Sequence, residues 1–152
     1  MKTLSNAQDK QEILGRLATV APASTRHWGK MSAHQMLCHL TDSFRATMGE
    51  KAVSRMPGLY PRALFRWVAL YVPLQWPKGV KTRPEMDQQI GGTPPADFTA
   101  DLQELRSIIE RFAGRPLDYP WQPHPFFGHM SHQDWMRWGY LHSDHHLRQF
   151  GA

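Results

Sequence analysis

The stretch Ser131-His-Gln-Asp-Trp-Met-Arg-Trp-Gly-Tyr-Leu-His-Ser-Asp-His-His-Leu-Arg-Gln149 says most about the fold of this chain. It begins with a serine, which favours a helix N-cap, and an aspartate follows in the first turn, where it complements the helix dipole. At about 100° per residue, Trp135 and Trp138 lie within roughly 40° of His142 on the helix surface. Because indoles favour burial, we expect this side of a long C-terminal helix to face the core.

Two histidines on this same side predict a metal site. His142 and His146 are four residues apart, so they lie one above the other on a helix. Imidazoles placed in this way can ligate one zinc, nickel, copper or iron ion. His145 lies about 60° from His142, near the boundary of that face. Asp144 points to the opposite side, which argues against an iron site made of two histidines and one carboxylate.

A third histidine, His39, lies in another predicted helix. Ser32 and Gln35 form a capping-box pattern at its start, and apolar residues recur at helical spacing from there to about Gly49. His39 falls just off the edge of the apolar arc, a position that favours a cleft over a sealed core. If His39 meets the histidine pair, the three make an open metal site in a helical bundle.

The rest of the chain also favours helices. The other helices predicted from periodicity and capping are residues 5–20, residues 61–72, and a segment from Asp97 or Thr99 to about Ala113. Residues 77–96 are rich in proline and glycine and predict a loop. No segment alternates with period two over the length of a strand. We therefore expect one all-α domain over residues 1–152, a four-helix bundle with one extra short helix and long Pro/Gly-rich loops.

The composition excludes several classes of protein. The chain has 152 residues, 41% of them hydrophobic and 20% charged, which is typical of a folded domain rather than a disordered chain. Its single cysteine, Cys38, allows neither an intramolecular disulfide nor a cysteine-based zinc site. The N-terminus lacks the apolar run of a signal peptide, and no stretch is apolar enough to predict a transmembrane helix. We therefore expect a cytoplasmic protein without a membrane span.

Positive charge is concentrated in residues 45–83, which contain eight basic residues and one acidic residue, Glu50. The centre of this segment, residues 55–80, is also aromatic and includes Tyr60 and Trp67. Such mixtures occur in surfaces that bind anionic ligands, nucleic acids or membranes. The simpler interpretation, which we favour, is that the aromatic residues pack inward while the arginines are solvated.

Three segments of the chain resemble the DinB/YfiT-like superfamily. They are Trp28-Gly-Lys-Met-Ser-Ala-His-Gln-Met-Leu-Cys-His-Leu-Thr-Asp-Ser-Phe-Arg45, His124-Pro-Phe-Phe-Gly128 and Leu141-His-Ser-Asp-His-His-Leu-Arg-Gln-Phe150. The match is closest to a branch of uncharacterised bacterial proteins and spans nearly the whole chain. It implies a four-helix bundle, often dimeric, with a three-histidine site that holds zinc or nickel. Carried over by position, the ligands are His39, His142 and His146.

The resemblance also implies candidate activities. Members of known activity resemble metal-dependent transferases or isomerases that use low-molecular-weight thiols, and other members are predicted hydrolases. We therefore expect a metal-dependent thiol S-transferase or hydrolase that acts on a small molecule, with a divalent metal ion and, for the transferase, a thiol cofactor. The alternatives are a non-catalytic protein that binds metal or a small molecule, or a module whose basic segment binds nucleic acid or a membrane surface. We expect a homodimer and no nucleic-acid partner.

Four further residues are secondary candidates. Asp42 lies one turn after the first predicted ligand and could orient its imidazole, although the role we favour is a solvated surface carboxylate. His145 and Tyr140 are candidate acid–base groups, but the helix points Tyr140 away from His142. Cys38 has no activating base in the sequence pattern, so we expect a structural thiol.

Overall fold

The computed structural model describes residues 1–56 and 61–152, and over these residues the chain is all-helical. The helices are α1 (Ala7–Leu17), α2 (Ala33–Thr47), α3 (Arg62–Tyr71), α4 (Phe98–Ala113) and α5 (His132–Gln149), with a one-turn 3-10 helix at Pro84–Met86. The described residues contain no strand, only an isolated β-bridge between His124 and Gly128. None of the described helices is long and apolar enough to cross a membrane. The prediction of an all-α chain is confirmed.

Reciprocal caps set the start of the two helices that carry the candidate ligands. The Ser32 side chain accepts a hydrogen bond from the Gln35 N–H, and the Ser32 N–H donates to the Gln35 side chain. Ser131 and Asp134 form the same reciprocal pair at the start of α5. Each pair satisfies N–H groups that the first helical turn leaves without a partner. Both helix starts therefore lie where the sequence predicted them.

The predicted bounds of two other helices need small corrections. α1 is shorter than the predicted 5–20, because Asn6 caps its start and the Val20 N–H bonds the Leu17 carbonyl in a tighter final turn. Of the two proposed caps for α4, it is Asp97 that accepts a hydrogen bond from the helix, through the Ala100 N–H.

α2, α4 and α5 meet in an aromatic core. Phe44 of α2 contacts Phe112 of α4 with 4.8 Å between ring centroids, and Trp138 of α5 with 5.7 Å. α5 approaches its neighbours closely at Gly139, where an added Cβ would lie 2.7 Å from Leu4 and 2.9 Å from Phe112. α1 packs against α5 as well. This packing holds α2 and α5 together, so residues on their facing sides can share one site.

The prediction that the aromatic residues of the basic segment pack inward is wrong for α3. Trp67 is 56% exposed and Phe65 is 48% exposed, whereas Leu70 is fully buried. The short helix thus presents apolar side chains outward and buries one leucine. The part of the prediction that concerns Tyr60 lies outside the described residues.

Polar contacts explain the orientation of α3. The Arg66 guanidinium donates to the carbonyl of His129 and lies 3.8 Å from the carboxylate of Asp134. Tyr71, one turn further along, donates its hydroxyl proton to the same carboxylate at 2.5 Å. These contacts turn the polar side of α3 toward the start of α5. Its aromatic side is left facing outward.

Candidate metal centre

Three histidines from two helices converge at one point. His39 comes from α2, and His142 and His146 come from consecutive turns of α5. One ring nitrogen of each lies within 4.8 Å of a ring nitrogen of each of the other two. The ring centroids are 4.8–5.4 Å apart, and each pair of rings meets edge to face. The structure thus brings together the three residues that the sequence singled out.

His39 is held by the backbone of a loop. It is 4% exposed, and its Nδ1 lies 2.9 Å from the carbonyl oxygen of Met86 in the 3-10 turn. Because a carbonyl only accepts, Nδ1 carries the proton and donates it, and Nε2 keeps its lone pair. The Met86 carbonyl therefore orients the ring. Sequence reasoning missed this contact, because a backbone carbonyl has no signature in the residue types.

Asp42 is fully buried, so the expectation of a solvated surface carboxylate is wrong. Its oxygens accept hydrogen bonds from the N–H and hydroxyl of Thr93, at 2.8 and 2.7 Å, and from the Gln88 amide at 3.2 Å. Lys51 lies 3.2 Å away and supplies a counter-charge. Burial is tolerated because these donors replace water around the carboxylate. Asp42 thus anchors the loop that follows the 3-10 turn, and the Met86 carbonyl of that turn binds His39.

His146 is oriented by a side chain that sequence reasoning also missed. Its Nδ1 lies 3.0 Å from Oε1 of Gln149, whose Nε2 donates to the carbonyl of Trp28 at 2.8 Å. Because the amide nitrogen donates, the amide oxygen must accept, so Nδ1 of His146 is the donor. The Trp28 loop can approach because the next residue is Gly29, where a Cβ would lie 2.6 Å from Gln149. The three-residue spacing from His146 was the signal that could have identified Gln149.

His142 has no orienting hydrogen bond. Its Nδ1 is buried and finds no hydrogen-bond partner among the residues that the structure describes. The ring lies 4.8 Å from Trp138 and 6.0 Å from Trp76, measured between centroids. A buried polar atom without a partner is unfavourable, so a ligand that supplies one is favoured at this ring.

Burial favours the neutral form of all three imidazoles. Burial lowers the pKa of His39, and it lowers the pKa of His142 and His146 well below the usual histidine value. Repulsion between the neighbouring rings, if charged, lowers the pKa of the α5 pair further. Neutral imidazoles present free lone pairs, which is the state that metal binding requires.

The other candidates on α5 lie as the helix wheel predicted. The Tyr140 hydroxyl points to α1 and donates to Glu12 at 3.0 Å. Asp144 accepts from Arg16 at 2.8 Å and is not part of the histidine cluster. His145 is half-buried and lines the same cavity as the three histidines, and burial lowers its pKa. His145 is therefore the acid–base candidate that lies near the site.

Cys38 lies in a separate polar cluster next to α4. Its thiol is 3.6 Å from Asp101, which also accepts from the His34 ring at 2.7 Å and from the Ala96 N–H at 3.1 Å. Burial and the adjacent carboxylate raise the pKa of Cys38 to about 12. A thiol in this state is a poor nucleophile at neutral pH. The contacts agree with the structural role expected for Cys38.

His124 is a further histidine, partly buried, that sequence reasoning did not select. Its Nδ1 accepts from the N–H groups of Phe126 and Phe127 at 3.2 Å, and its ring stacks on Phe127 with 4.4 Å between centroids. Burial lowers the pKa of His124 to about 3. This neutral ring holds the turn that precedes α5.

The histidines open into a cavity of about 1060 Å³. Trp28, Trp76 and Trp138 line it, each in ring contact with His142 or His145. Phe65 and Val68 of α3 line it as well, so part of the outward-facing side of α3 forms a wall of this cavity. The volume is at the upper end of the roughly 300–1,000 Å³ of small-molecule sites.

A family model described as "Protein of unknown function (DUF1569)" matches residues 3–152. No curated protein and no solved structure matches the chain. The matched range includes all the histidines of the site and the loop that orients His39.

Proposed function

The chain belongs to the DUF1569 family, whose function is unknown, and we propose that it is a metal-dependent enzyme with an open three-histidine site. The ligands are His39, His142 and His146, and the ion is zinc or nickel. One observation carries the proposal: three neutral imidazoles converge, two of them oriented by hydrogen bonds at Nδ1. The third has a buried nitrogen with no partner in the described part of the chain.

The donor set fits such an ion. Zinc and nickel are both well suited to imidazole nitrogen. With Nδ1 of His39 and His146 engaged, each ring offers Nε2 as the ligand atom. Ligating histidines ordinarily make an outer hydrogen bond of this kind, here to the Met86 carbonyl and the Gln149 amide. Three protein ligands leave a coordination position for substrate.

The ion and the protein's side chains have different roles in the proposed reaction. A divalent ion supplies Lewis acidity, which lowers the pKa of a thiol or a water in its open position. Trp76 and Trp138 cover one side of His142 and exclude water there. His145 lines the same cavity, so its imidazole can take up or return a substrate proton there.

The cavity favours a thiol S-transferase over a hydrolase. Its volume of about 1060 Å³ has room for a low-molecular-weight thiol and a second small molecule side by side. The resemblance to the DinB/YfiT-like superfamily supports the same choice. It also supports a four-helix bundle of the DinB/YfiT-like type, built from α1, α2, α4 and α5. The homodimer that the resemblance implies stays a prediction, which light scattering tests.

Metal content is the first test of the proposal. Protein purified without an affinity tag or added metal is expected to contain about one zinc or nickel ion per chain by elemental analysis. His142→Ala should lose the ion while its circular dichroism stays helical. His129→Ala is the matched control, because His129 is exposed and does not line the cavity, and it should keep the ion. A wild-type protein that binds neither metal, even after incubation with both, contradicts the proposal.

Turnover is the second test. A panel of low-molecular-weight thiols with electrophiles tests the transferase, and small esters and amides test the hydrolase. Activity on one of them should be lost in His39→Ala and kept in His129→Ala. Full metal occupancy without turnover of any compound would favour the non-catalytic binding protein.

A further inference from the structure

The wall of the cavity carries an excess of positive charge. Its basic lining residues are Lys30, Lys51, Arg55, Lys81 and Arg83. Among the described lining residues the acidic one is Asp87, whose carboxylate accepts a hydrogen bond from the Gln89 N–H at 2.9 Å. An uncharged or anionic ligand is therefore favoured here over a cationic one.

Several of these cations are not neutralised within the protein. Lys51 is already ion-paired, since its Nζ lies 3.2 Å from the Asp42 carboxylate. Lys30, Arg55 and Lys81 are exposed and make no ion pair with any residue in the described ranges. Their charges are available to a ligand that enters the cavity.

Hydrogen bonds hold together two loop segments that carry cations of the cavity lining. Arg83 donates from Nε to the Ser54 hydroxyl at 3.2 Å, and the Ser54 N–H donates to the Glu85 carboxylate at 3.2 Å. The two segments therefore run side by side, and Arg55, Lys81 and Arg83 form what we call the basic rim. Glu85 does not line the cavity, but its carboxylate interacts with Arg83, so Arg55 and Lys81 carry the charge of the rim that has no acidic partner in the described ranges.

The basic rim adjoins the histidine site. Arg83 precedes the 3-10 turn whose Met86 carbonyl binds His39. Met86 is three positions after Arg83 in the chain, so their Cα atoms are at most about 11 Å apart. One small molecule can thus reach both the rim and the histidines.

We propose that the cavity binds an organic anion, whose carboxylate or phosphate meets the basic rim while its apolar body lies against the tryptophans beside the histidines. That this ligand is a substrate rests on the proposed function. The recognition of its negative charge depends on the basic rim alone. The rim is exposed to solvent, so its attraction for the anionic group is screened by salt and adds to the burial of the apolar body against the tryptophans. The basic aromatic segment thereby acquires a role in selecting the ligand.

A matched pair of fluorescent probes tests the charge preference. Anilinonaphthalene sulfonate is anionic, and phenylnaphthylamine is its neutral counterpart with a similar aromatic body. We expect the anion to bind the purified protein about tenfold more tightly, and its affinity to fall as salt is raised because the rim is exposed. Displacement by naphthoate and by naphthyl phosphate then distinguishes a carboxylate ligand from a phosphate ligand.

Two double variants locate the effect. Arg55→Gln with Lys81→Gln removes two charges from the rim. This double variant should weaken binding of the anionic probe about tenfold and leave binding of the neutral probe unchanged. Lys10→Gln with Arg111→Gln removes two charges from ion-paired positions outside the cavity and is the control. Circular dichroism confirms that both variants are folded. Equal affinity for the two probes, or equal weakening by the two variants, overturns the proposal.

Metal removal separates this inference from the proposed function. The preference for the anion, and its loss in the rim variant, should persist after treatment with a chelator. If the preference disappears on chelation and the rim variant has no effect, the anion binds the metal, so the rim proposal fails while the metal site stands. If no metal is ever found but the rim effect persists, the metal site fails and the rim proposal stands.

Discussion

Gln149 fixes which nitrogen His146 offers to a ligand. Its amide oxygen takes the Nδ1 proton while its amide nitrogen holds the carbonyl of Trp28. Gln149→Leu keeps the bulk but frees the ring, so we expect zinc affinity to fall about tenfold to a hundredfold, as is usual when such an outer contact is lost. Competition with a chromogenic chelator measures the affinity. Gln133→Leu, at an exposed position of the same helix, is the control, and equal affinities in the two variants would refute the role.

His124 makes the stability of the fold depend on pH. Burial lowers its pKa from 6.5 to about 3. Between these values the unfolded chain binds a proton that the folded protein does not, so the free energy of unfolding falls as the pH falls. The slope is up to about 1.4 kcal/mol per pH unit below a pH of about 6.5. Urea unfolding at several pH values, with a chelator present to exclude metal effects, measures this slope.

The matched variants isolate that titration. His124→Asn keeps an acceptor for the N–H groups of Phe126 and Phe127 but cannot titrate, so its stability should depend less steeply on pH. His129→Asn, at an exposed position, should keep the wild-type slope. Identical slopes in all three proteins would show that the buried ring is not the cause.

At the scale of single residues, the sequence predicts the histidines but not everything that orients them. Helical periodicity alone places His142 and His146 on one face, and the same periodicity could have predicted the contact of Gln149 with His146. Periodicity could not have predicted the contact between the Met86 carbonyl and His39. It depends on the path of a Pro/Gly-rich loop, and every backbone carbonyl offers the same chemistry.

Among the structural elements, the loop from the 3-10 turn to Thr93 depends on Asp42. Asp42→Ala removes the acceptor for the Thr93 N–H and hydroxyl and leaves Lys51 without its counter-charge. We expect the free energy of unfolding to fall by about 3 kcal/mol, the scale for breaking a buried charged contact. The Thr93 amide should also exchange its hydrogen faster. Asp118→Ala, at an exposed position, is the control for both measurements, and no change in Thr93 exchange would contradict the anchoring role.

The packing of α5 requires a glycine at position 139. A Cβ on Gly139 would lie 2.7 Å from Leu4 and 2.9 Å from Phe112, so Gly139→Ala should destabilise the protein by about 1–3 kcal/mol. A Cβ on Gly15 of α1 meets nothing within 4 Å, so Gly15→Ala should stabilise it by about 0.5–1 kcal/mol. Denaturant unfolding measures both changes. Effects of the same sign would contradict the close packing at α5.

Local patterns also predict where the helices begin, but not which way a short helix faces. The caps at Ser32 and Ser131 are local, and they were predicted correctly. The orientation of α3 is set by contacts of Arg66 and Tyr71 with Asp134 of α5. Those contacts join distant parts of the chain, so no periodicity within α3 could reveal them.

At the scale of the whole molecule, the pairing of α2 with α5 creates the site. His39 and His142 are far apart in the sequence, and packing around Phe44 and Trp138 brings their helices together. Helical spacing predicts the α5 pair, but it contains no information about which helices are neighbours. The expected resemblance to the DinB/YfiT-like superfamily pointed to His39 as the third candidate ligand, and the structure shows its ring in contact with the other two.

A metal ion bound by α2 and α5 would join two helices that are far apart in the sequence, so it should stabilise the whole fold. An ion that binds only the folded protein adds about 2.7 kcal/mol at a concentration of 100 times its Kd. For a chain of this length we expect zinc or nickel to raise Tm by about 5–10 °C, measured by scanning calorimetry. His142→Ala should abolish the rise, while His129→Ala should keep it. A rise that persists in His142→Ala would place the ion elsewhere, at the cluster of His34, Cys38 and Asp101, whose ligand atoms also lie within 4.8 Å of one another.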